Sequence, residues 1–302
     1  MPVDARIATF LVNNGVTSLG HVESLSVLPA FRDIVVASHD RYADLIKNRG
    51  KLGVPTGLAE FDRDTGGLKD GQMTVIAGDT NVGKSTVALN FVNTALQQGM
   101  GVALFTLEMD REEIADLLVS MNAEVDRNVF NTGNFGSVDL EAIACASLVM
   151  AKFPLFIDDA PTLTAKQIRG RVMQLKHEEH IRLVMVDYAQ LVAPEDAREP
   201  REQQVAHIAR ELRSLAKEVR LPFLVLSQLN DEGKLRESRV LAHEAHNVCR
   251  IEETDSGGLQ MRVYKGRRIP KKTYALDWQP LFCKVLPMAK EGTETNPDWM
   301  DK

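Results

Sequence analysis

The stretch Met73-Thr74-Val75-Ile76-Ala77-Gly78-Asp79-Thr80-Asn81-Val82-Gly83-Lys84-Ser85-Thr86 decides the fold. A short apolar run that reads as a buried strand leads into a turn of the pattern GxxxxGK[ST], and a helical pattern follows. Strand, glycine-rich turn and helix in that order form a loop that cradles phosphate. The turn's backbone N–H groups and the positive end of the helix converge on one anion, Lys84 reaches the terminal phosphates, and the Ser85 hydroxyl is a ligand for Mg²⁺. This reading assigns Gly78, Asp79, Thr80, Asn81, Val82, Gly83, Lys84, Ser85 and Thr86 to nucleotide binding. A carboxylate beside phosphate is repelled, so the Asp79 side chain is expected to face out of the loop.

Working outward, further β-rich apolar runs alternate with helical patterns: GVALFTL (101–107), LFIDD (155–159), RLVMVDY (182–188) and PFLVLSQL (222–229). That alternation predicts βαβ units around a buried parallel sheet, an α/β fold with helices on both faces. Val205, Ile208, Leu212, Leu215 and Val219 recur at spacings of three and four, which predicts one apolar stripe on a crossover helix. Thr164-Ala165-Lys166-Gln167 reads as a capping box that opens another helix, with Ile168, Val172 and Leu175 on its inner face. After Gly257-Gly258, LQMRVYKG (259–266) and TYALDWQPLFCKVL (273–286) read as an antiparallel extension joined by a basic turn.

The ends differ from this middle. Ile34, Val35, Tyr42, Leu45 and Ile46 mark an amphipathic helix within residues 1–50, which read as an arm. The phosphate-binding unit is assigned to 51–290, and 291–302 to a flexible acidic tail.

Composition excludes several function classes. Of 302 residues, 44% are apolar and 26% charged, which fits a globular chain and not a disordered or collagen-like one. A net charge of −6 argues against a uniformly basic nucleic-acid coat while leaving a local basic channel open. Cys145, Cys249 and Cys283 lie far apart without a CxxC pair, so neither a disulfide framework nor a zinc ribbon is suggested. No apolar run approaches the roughly 18 residues of a membrane span, and the expected location is the cytoplasm without membrane association. His177/His180 and His243/His246 are spaced to share a helix face, but neither pair forms HExxH, and solvated helix faces are expected.

A phosphate loop needs a second carboxylate to hold the metal. Asp187 closes the apolar run LVMVD, where a strand would deliver it beside Ser85. Glu108 ends the neighbouring strand VALFTLEM, where a carboxylate could polarise a water in line with the γ phosphate. Gln228 ends a further strand at the same carboxyl edge, the edge at which open α/β sheets bind ligands.

GDTNVGKST, TLEM, LVMVDY and LSQLN, in this order and spacing, resemble the RecA-like motor domain of DnaB-type replicative helicases, over roughly residues 53–286. The resemblance implies ATP and Mg²⁺ as cofactors, Glu108 as catalytic base, Asp187 on the metal through water, and Gln228 as sensor of the γ phosphate. It also implies that Lys265 and Arg267, two residues apart on a late strand, reach the nucleotide of a neighbouring subunit in a homo-hexameric ring. Arg236-Glu237-Ser238 matches the family's DNA-contacting motif, in a loop expected to line the ring's channel. With Arg239, which stands where the family favours Gly, it is expected to grip single-stranded DNA by its phosphates. By position, the helix near 34–46 resembles the family's linker helix, and 50 residues are fewer than the family's N-terminal helical domain occupies. Such a chain would suit a phage or plasmid replicon. The activity implied is ATP-driven 5′ to 3′ translocation and unwinding at a replication fork, with primase, polymerase or a helicase loader as partners. Two rivals stay open on the residues alone: a RecA- or RadA-like recombinase, and a nucleotide-gated assembly factor that unwinds nothing.

Overall fold

The computed structural model describes residues 53–194, 198–228, 236–255, 257–267 and 269–287, with the backbone alone for 236–239. The arm at 1–50, including the expected linker helix, and the tail at 291–302 lie outside the described residues.

A nine-stranded sheet forms the centre, in the spatial order β3-β2-β4-β5-β1-β6-β7-β8-β9. Strands β1 (Met73–Gly78), β2 (Val102–Thr106), β3 (Leu155–Asp158), β4 (Leu183–Asp187), β5 (Phe223–Gln228) and β6 (Asn247–Glu253) run parallel. β7 (Leu259–Gly266), β8 (Thr273–Gln279) and β9 (Lys284–Pro287) continue the sheet antiparallel. Successive side chains of a strand point to opposite faces, so a central strand feeds two cores. In β1, Met73, Val75 and Ala77 enter one core and Ile76 the other. This is why the central strands read as unbroken apolar runs.

Eight α-helices flank the sheet among the described residues: α1 (Ala59–Thr65), α2 (Lys84–Gln97), α3 (Arg111–Ala123), α4 (Asn128–Thr132), α5 (Ser137–Met150), α6 (Ala165–Glu178), α7 (Arg201–Val219) and α8 (Arg236–Glu244). Helix α2 packs Val87, Leu89, Phe91, Val92 and Leu96 into the core shared with Ile76, Leu224 and Leu226. On the other face, α7 buries the predicted stripe, Val205, Ile208, Leu212, Leu215 and Val219, with Ile168 and Val172 of α6. The Thr164 box forms as read: the Gln167 N–H donates to Thr164 Oγ1 at 3.3 Å, and the Thr164 N–H donates to Gln167 Oε1 at 2.9 Å.

Three features depart from the sequence expectation. β6 breaks the apolar pattern because Arg250 on it pairs with Glu252 of the same strand and with Asp79 of the phosphate loop. The single strand read over 273–286 splits in two, because Pro280 lacks a ladder donor and opens a one-turn 3₁₀ helix, Pro280–Phe282. The segment beginning at Arg236, expected as a loop, is helical backbone from its first residue.

Candidate nucleotide site

β1 ends at Gly78, and the chain turns through residues 79–83 into α2. A methyl at Gly78 would sit 2.7 Å from Val82 Cγ1 and 3.0 Å from the Ile251 carbonyl oxygen, so only glycine lets the loop fold this tightly. Asn81 (φ 63°) and Gly83 (φ 90°) adopt the left-handed conformation that turns successive N–H groups inward into an anion-binding nest. Asp79 faces away from that nest, as expected on charge grounds: its Oδ2 lies 3.7 Å from Arg250 Nη2 on β6. Val82 is buried in the core instead of facing the cavity.

Lys84 folds back over the loop, where Nζ donates to the Asp79 carbonyl oxygen at 2.5 Å. Burial lowers its pKa, while the carboxylates of Asp187, Glu108 and Asp79 oppose that fall. Such a lysine is held by the negative charge around it and is available to a more negative ligand.

Asp187, the last residue of β4, is 2% exposed and accepts a hydrogen bond from the Ser85 side chain. Its pKa is raised from 3.8 to about 6, chiefly by desolvation and further by Glu108, against the lowering effects of the Ser85 hydrogen bond and of Lys84. Its Oδ2 is buried without a hydrogen-bond partner. A buried carboxylate oxygen left unmatched beside a serine hydroxyl fits Mg²⁺, which favours oxygen ligands and keeps several waters and substrate oxygens in its shell. No group of three or more His, Cys, Asp or Glu that could hold a metal occurs among the described residues. The protein's share of such a shell would therefore be Ser85 and Asp187.

Gln228 closes β5 directly opposite Gly78 of β1, and its Nε2 donates to Thr80 Oγ1 at 2.6 Å. The Gln190 side chain steadies this corner, donating to Ser227 Oγ at 3.0 Å and to the Gln228 carbonyl oxygen at 3.1 Å. A cavity of about 480 Å³ joins these groups, lined by Thr80, Asn81, Gly83, Lys84, Ser85, Thr86, Glu108, Asp187 and Gln228. Four strand ends thus deliver the residues expected at the phosphates. Tyr188, Arg127, Phe130, Asn131 and Trp278 share the wall and are not marked by sequence reasoning. Arg127, Phe130 and Asn131 sit in or beside a five-residue helix without a motif. Trp278 carries one available signal, as one of only two tryptophans in the chain.

Other expected site residues lie elsewhere. Lys265 Nζ donates to the carbonyl oxygens of Ala242 and His243, at 2.8 and 2.7 Å, and so caps the last turn of α8 within its own chain. Arg267 is exposed, and its backbone N–H donates to Asn247 Oδ1 at 3.3 Å. Neither belongs to the cavity wall. Arg236, Glu237, Ser238 and Arg239 form the first turn of α8, and their side chains are outside the described residues. Of the histidines, His246 lies beyond α8 and accepts the Met73 N–H at Nδ1 (3.1 Å), so it serves the sheet.

A phosphate-binding loop on the central strand of a parallel sheet, with a metal-competent aspartate two strands away, defines a RecA-like P-loop nucleotide-binding fold. Residues 53–255 match the family model described as the DnaB-like helicase C-terminal domain. The chain belongs to the DnaB-like helicase family. It is 33% identical to the replicative DNA helicase DnaB of Leifsonia xyli subsp. xyli over 92% of this chain and 66% of that protein. With the replicative DNA helicase DnaC of Bacillus subtilis it shares 29% identity over 78% of this chain and 56% of the relative. The chain thus spans a little more than half to about two thirds of the length of these relatives. Among solved structures, an isolated ATPase domain superposes with a TM-score of 0.80 at 25% identity, covering 85% of this chain and 99% of that one. No helix among the described residues is long and apolar enough to cross a membrane.

The raised pKa of Asp187 has a measurable consequence for stability. In the unfolded chain this carboxyl ionises near 3.8, and in the folded, metal-free protein near 6. The stabilisation it gives is therefore complete below about pH 4 and lost as pH rises to 6, leaving a buried charge that costs on the order of 3 kcal/mol above that. Asp187→Asn keeps the shape without the charge. In chelator it is expected to unfold at higher denaturant than the parent at pH 7.5, with the gap closing towards pH 4. Equal midpoints at pH 7.5 would contradict this electrostatic picture.

Proposed function

We propose that this chain is the ATP-driven motor of a ring-forming replicative DNA helicase that translocates on single-stranded DNA and unwinds the duplex ahead of it. The observation that carries the reading is the convergence of Lys84, Ser85, Glu108, Asp187 and Gln228 on one cavity at the carboxyl edge of the sheet. Lys84 and the loop N–H groups bind and neutralise the phosphates. Mg²⁺, when bound, supplies charge neutralisation on the β and γ oxygens, and Ser85 and Asp187 are the residues that would hold it. Glu108 orients a water and accepts its proton. Gln228 reports the presence of the γ phosphate to the phosphate loop through Thr80.

In this reading the unit at 51–290 is the motor, 1–50 is the arm that links subunits, and 291–302 is the tail. Lys265 and Arg267 act on the nucleotide of an adjacent subunit in a homo-hexamer, Arg236 to Arg239 hold the DNA strand, and primase, polymerase or a loader docks on the ring. The working compartment is the cytoplasm. A forked-duplex assay with ATP tests the activity. Strand separation that requires the 5′ tail supports the proposal, whereas strand exchange without unwinding, or nucleotide binding with neither, points to the recombinase or the assembly factor.

The arrangement between subunits has its own test. Arg267→Ala and Glu108→Gln chains are each expected to be nearly inactive. Co-expressed and verified as hybrids by mass, they create some interfaces with Glu108 from one chain and Arg267 from the other, and part of the ATPase returns. Hybrids without recovery across the mixing ratios would overturn the assignment of Arg267 to the neighbour's site.

A further inference from the structure

The nucleotide cavity has a wall that the phosphate chemistry does not use. Trp278, near the end of β8, lines it beside the phosphate loop. A Cβ at Gly83 would lie 3.3 Å from Trp278 Cη2, so the absence of a side chain at Gly83 lets the indole come up against the start of α2. The indole is half-buried, packed against the core while still facing the cavity.

The wall is fastened where it stands. The Asn90 side chain on α2 donates to the Cys283 carbonyl oxygen at 2.9 Å and accepts the Val285 N–H at 3.1 Å, which ties β9 to the helix that follows the phosphate loop. From the other side, the Arg127 N–H donates to the Leu281 carbonyl oxygen at 2.8 Å. Trp278 is therefore held in place by the hairpin on which it sits, and needs little ordering when a ligand arrives. Thr86, in the first turn of α2, lies on the cavity beside it.

Phosphates seated in the loop leave the nucleoside to occupy the remaining cavity. An indole offers a flat π face with two rings, the natural platform for a nucleobase. We propose that Trp278 is the platform on which the base of the bound nucleotide stacks, and that this contact sets the base preference of the site. Stacking reads the ring's area and not its hydrogen-bonding edge. The site then accepts ATP and GTP alike and binds both more tightly than CTP. This inference rests on the phosphate-loop reading above.

The test uses the full chain carrying Trp299→Phe, so that Trp278 is the single emitter. Titration with ATP is expected to quench its fluorescence, whereas inorganic tripolyphosphate, which has no base, leaves it unquenched. Equal quenching by both, or none by ATP that is bound, overturns the proposal without any change at the site. Trp278→Leu keeps apolar bulk and removes the π face. It is expected to weaken ATP binding roughly tenfold, to bring the ATP and CTP dissociation constants together, and to leave tripolyphosphate affinity at the parent value. Trp278→Phe should restore most of the loss. A folded Trp278→Leu chain that binds ATP as tightly as the parent overturns the stacking role, as does an equal loss of tripolyphosphate, which would mark Trp278 as a support for the loop. Failure of the unsubstituted chain to bind any nucleotide would instead remove the phosphate-loop reading and the inference with it.

Discussion

Lys84→Ala abolishes nucleotide hydrolysis while leaving the fold intact. The side chain of Lys84 makes one hydrogen bond, to the Asp79 carbonyl oxygen, and its charge is held in a partly desolvated position by surrounding carboxylates. Removing it relieves a desolvation cost and breaks little, so thermal stability should stay close to that of the parent. The phosphates lose their compensating charge where it develops most in the transition state. Groups of this kind are worth about 10²- to 10³-fold in rate, and kcat/KM for ATP is expected to fall by at least that much. Phosphate release measured on a variant with an unchanged circular dichroism melt decides the matter. Turnover at the parent rate would remove the phosphate-loop assignment.

Glu108→Gln separates binding from chemistry. The carboxylate lies on the cavity wall and adds to the upward push on the Asp187 pKa, which places it near the metal side of the site. Glutamine keeps the shape and cannot accept a proton. Turnover is expected to fall by about 10²- to 10⁴-fold, with ATP affinity held or improved because one negative charge facing the phosphates is gone. Equilibrium binding and single-turnover hydrolysis on the same sample give both numbers. If affinity fell as far as turnover, Glu108 would be a structural residue and the proton acceptor would have to be sought elsewhere.

How much of this is legible in the sequence follows from how each piece is held. Of the six parallel strands, β1, β2, β4 and β5 are visible because burial on both faces leaves an apolar run, and the half-buried edge strand β3 because it is still largely apolar; a functional residue at a strand end stands out as a polar side chain where the run stops. Asp187 and Gln228 are of this kind, Glu108 lies two residues beyond its strand, and Lys84 and Ser85 are legible from the GxxxxGK[ST] turn that joins β1 to α2. β6 escapes because its neighbours make polar residues acceptable: Arg250 is answered by Asp79 on the adjacent loop and by Glu252 on its own strand. The helix at Arg236 is masked by a charged stretch that reads equally well as a loop. Trp278, Arg127, Phe130 and Asn131 are brought to the cavity by contacts such as Asn90 with Val285, far apart in sequence, and no local pattern announces them.

The strand order also says when the site can exist. β1, which carries the phosphate loop, is flanked by β5 and β6, and its partners run from Phe223 to Gln228 and from Asn247 to Arg250. During synthesis the loop therefore leaves the ribosome about 150 residues ahead of the first strand that can pair with it, and both edges of β1 stay open until that strand and the next arrive. Pairings this distant in sequence close late and slowly, and an unpaired apolar strand is a template for sticking to other chains. A nascent chain halted before β5 would carry the whole GxxxxGKS turn and still hold no nucleotide. Nucleotide capture thus marks a chain that has been made past β5, and a bound nucleotide stabilises only chains that have passed that point.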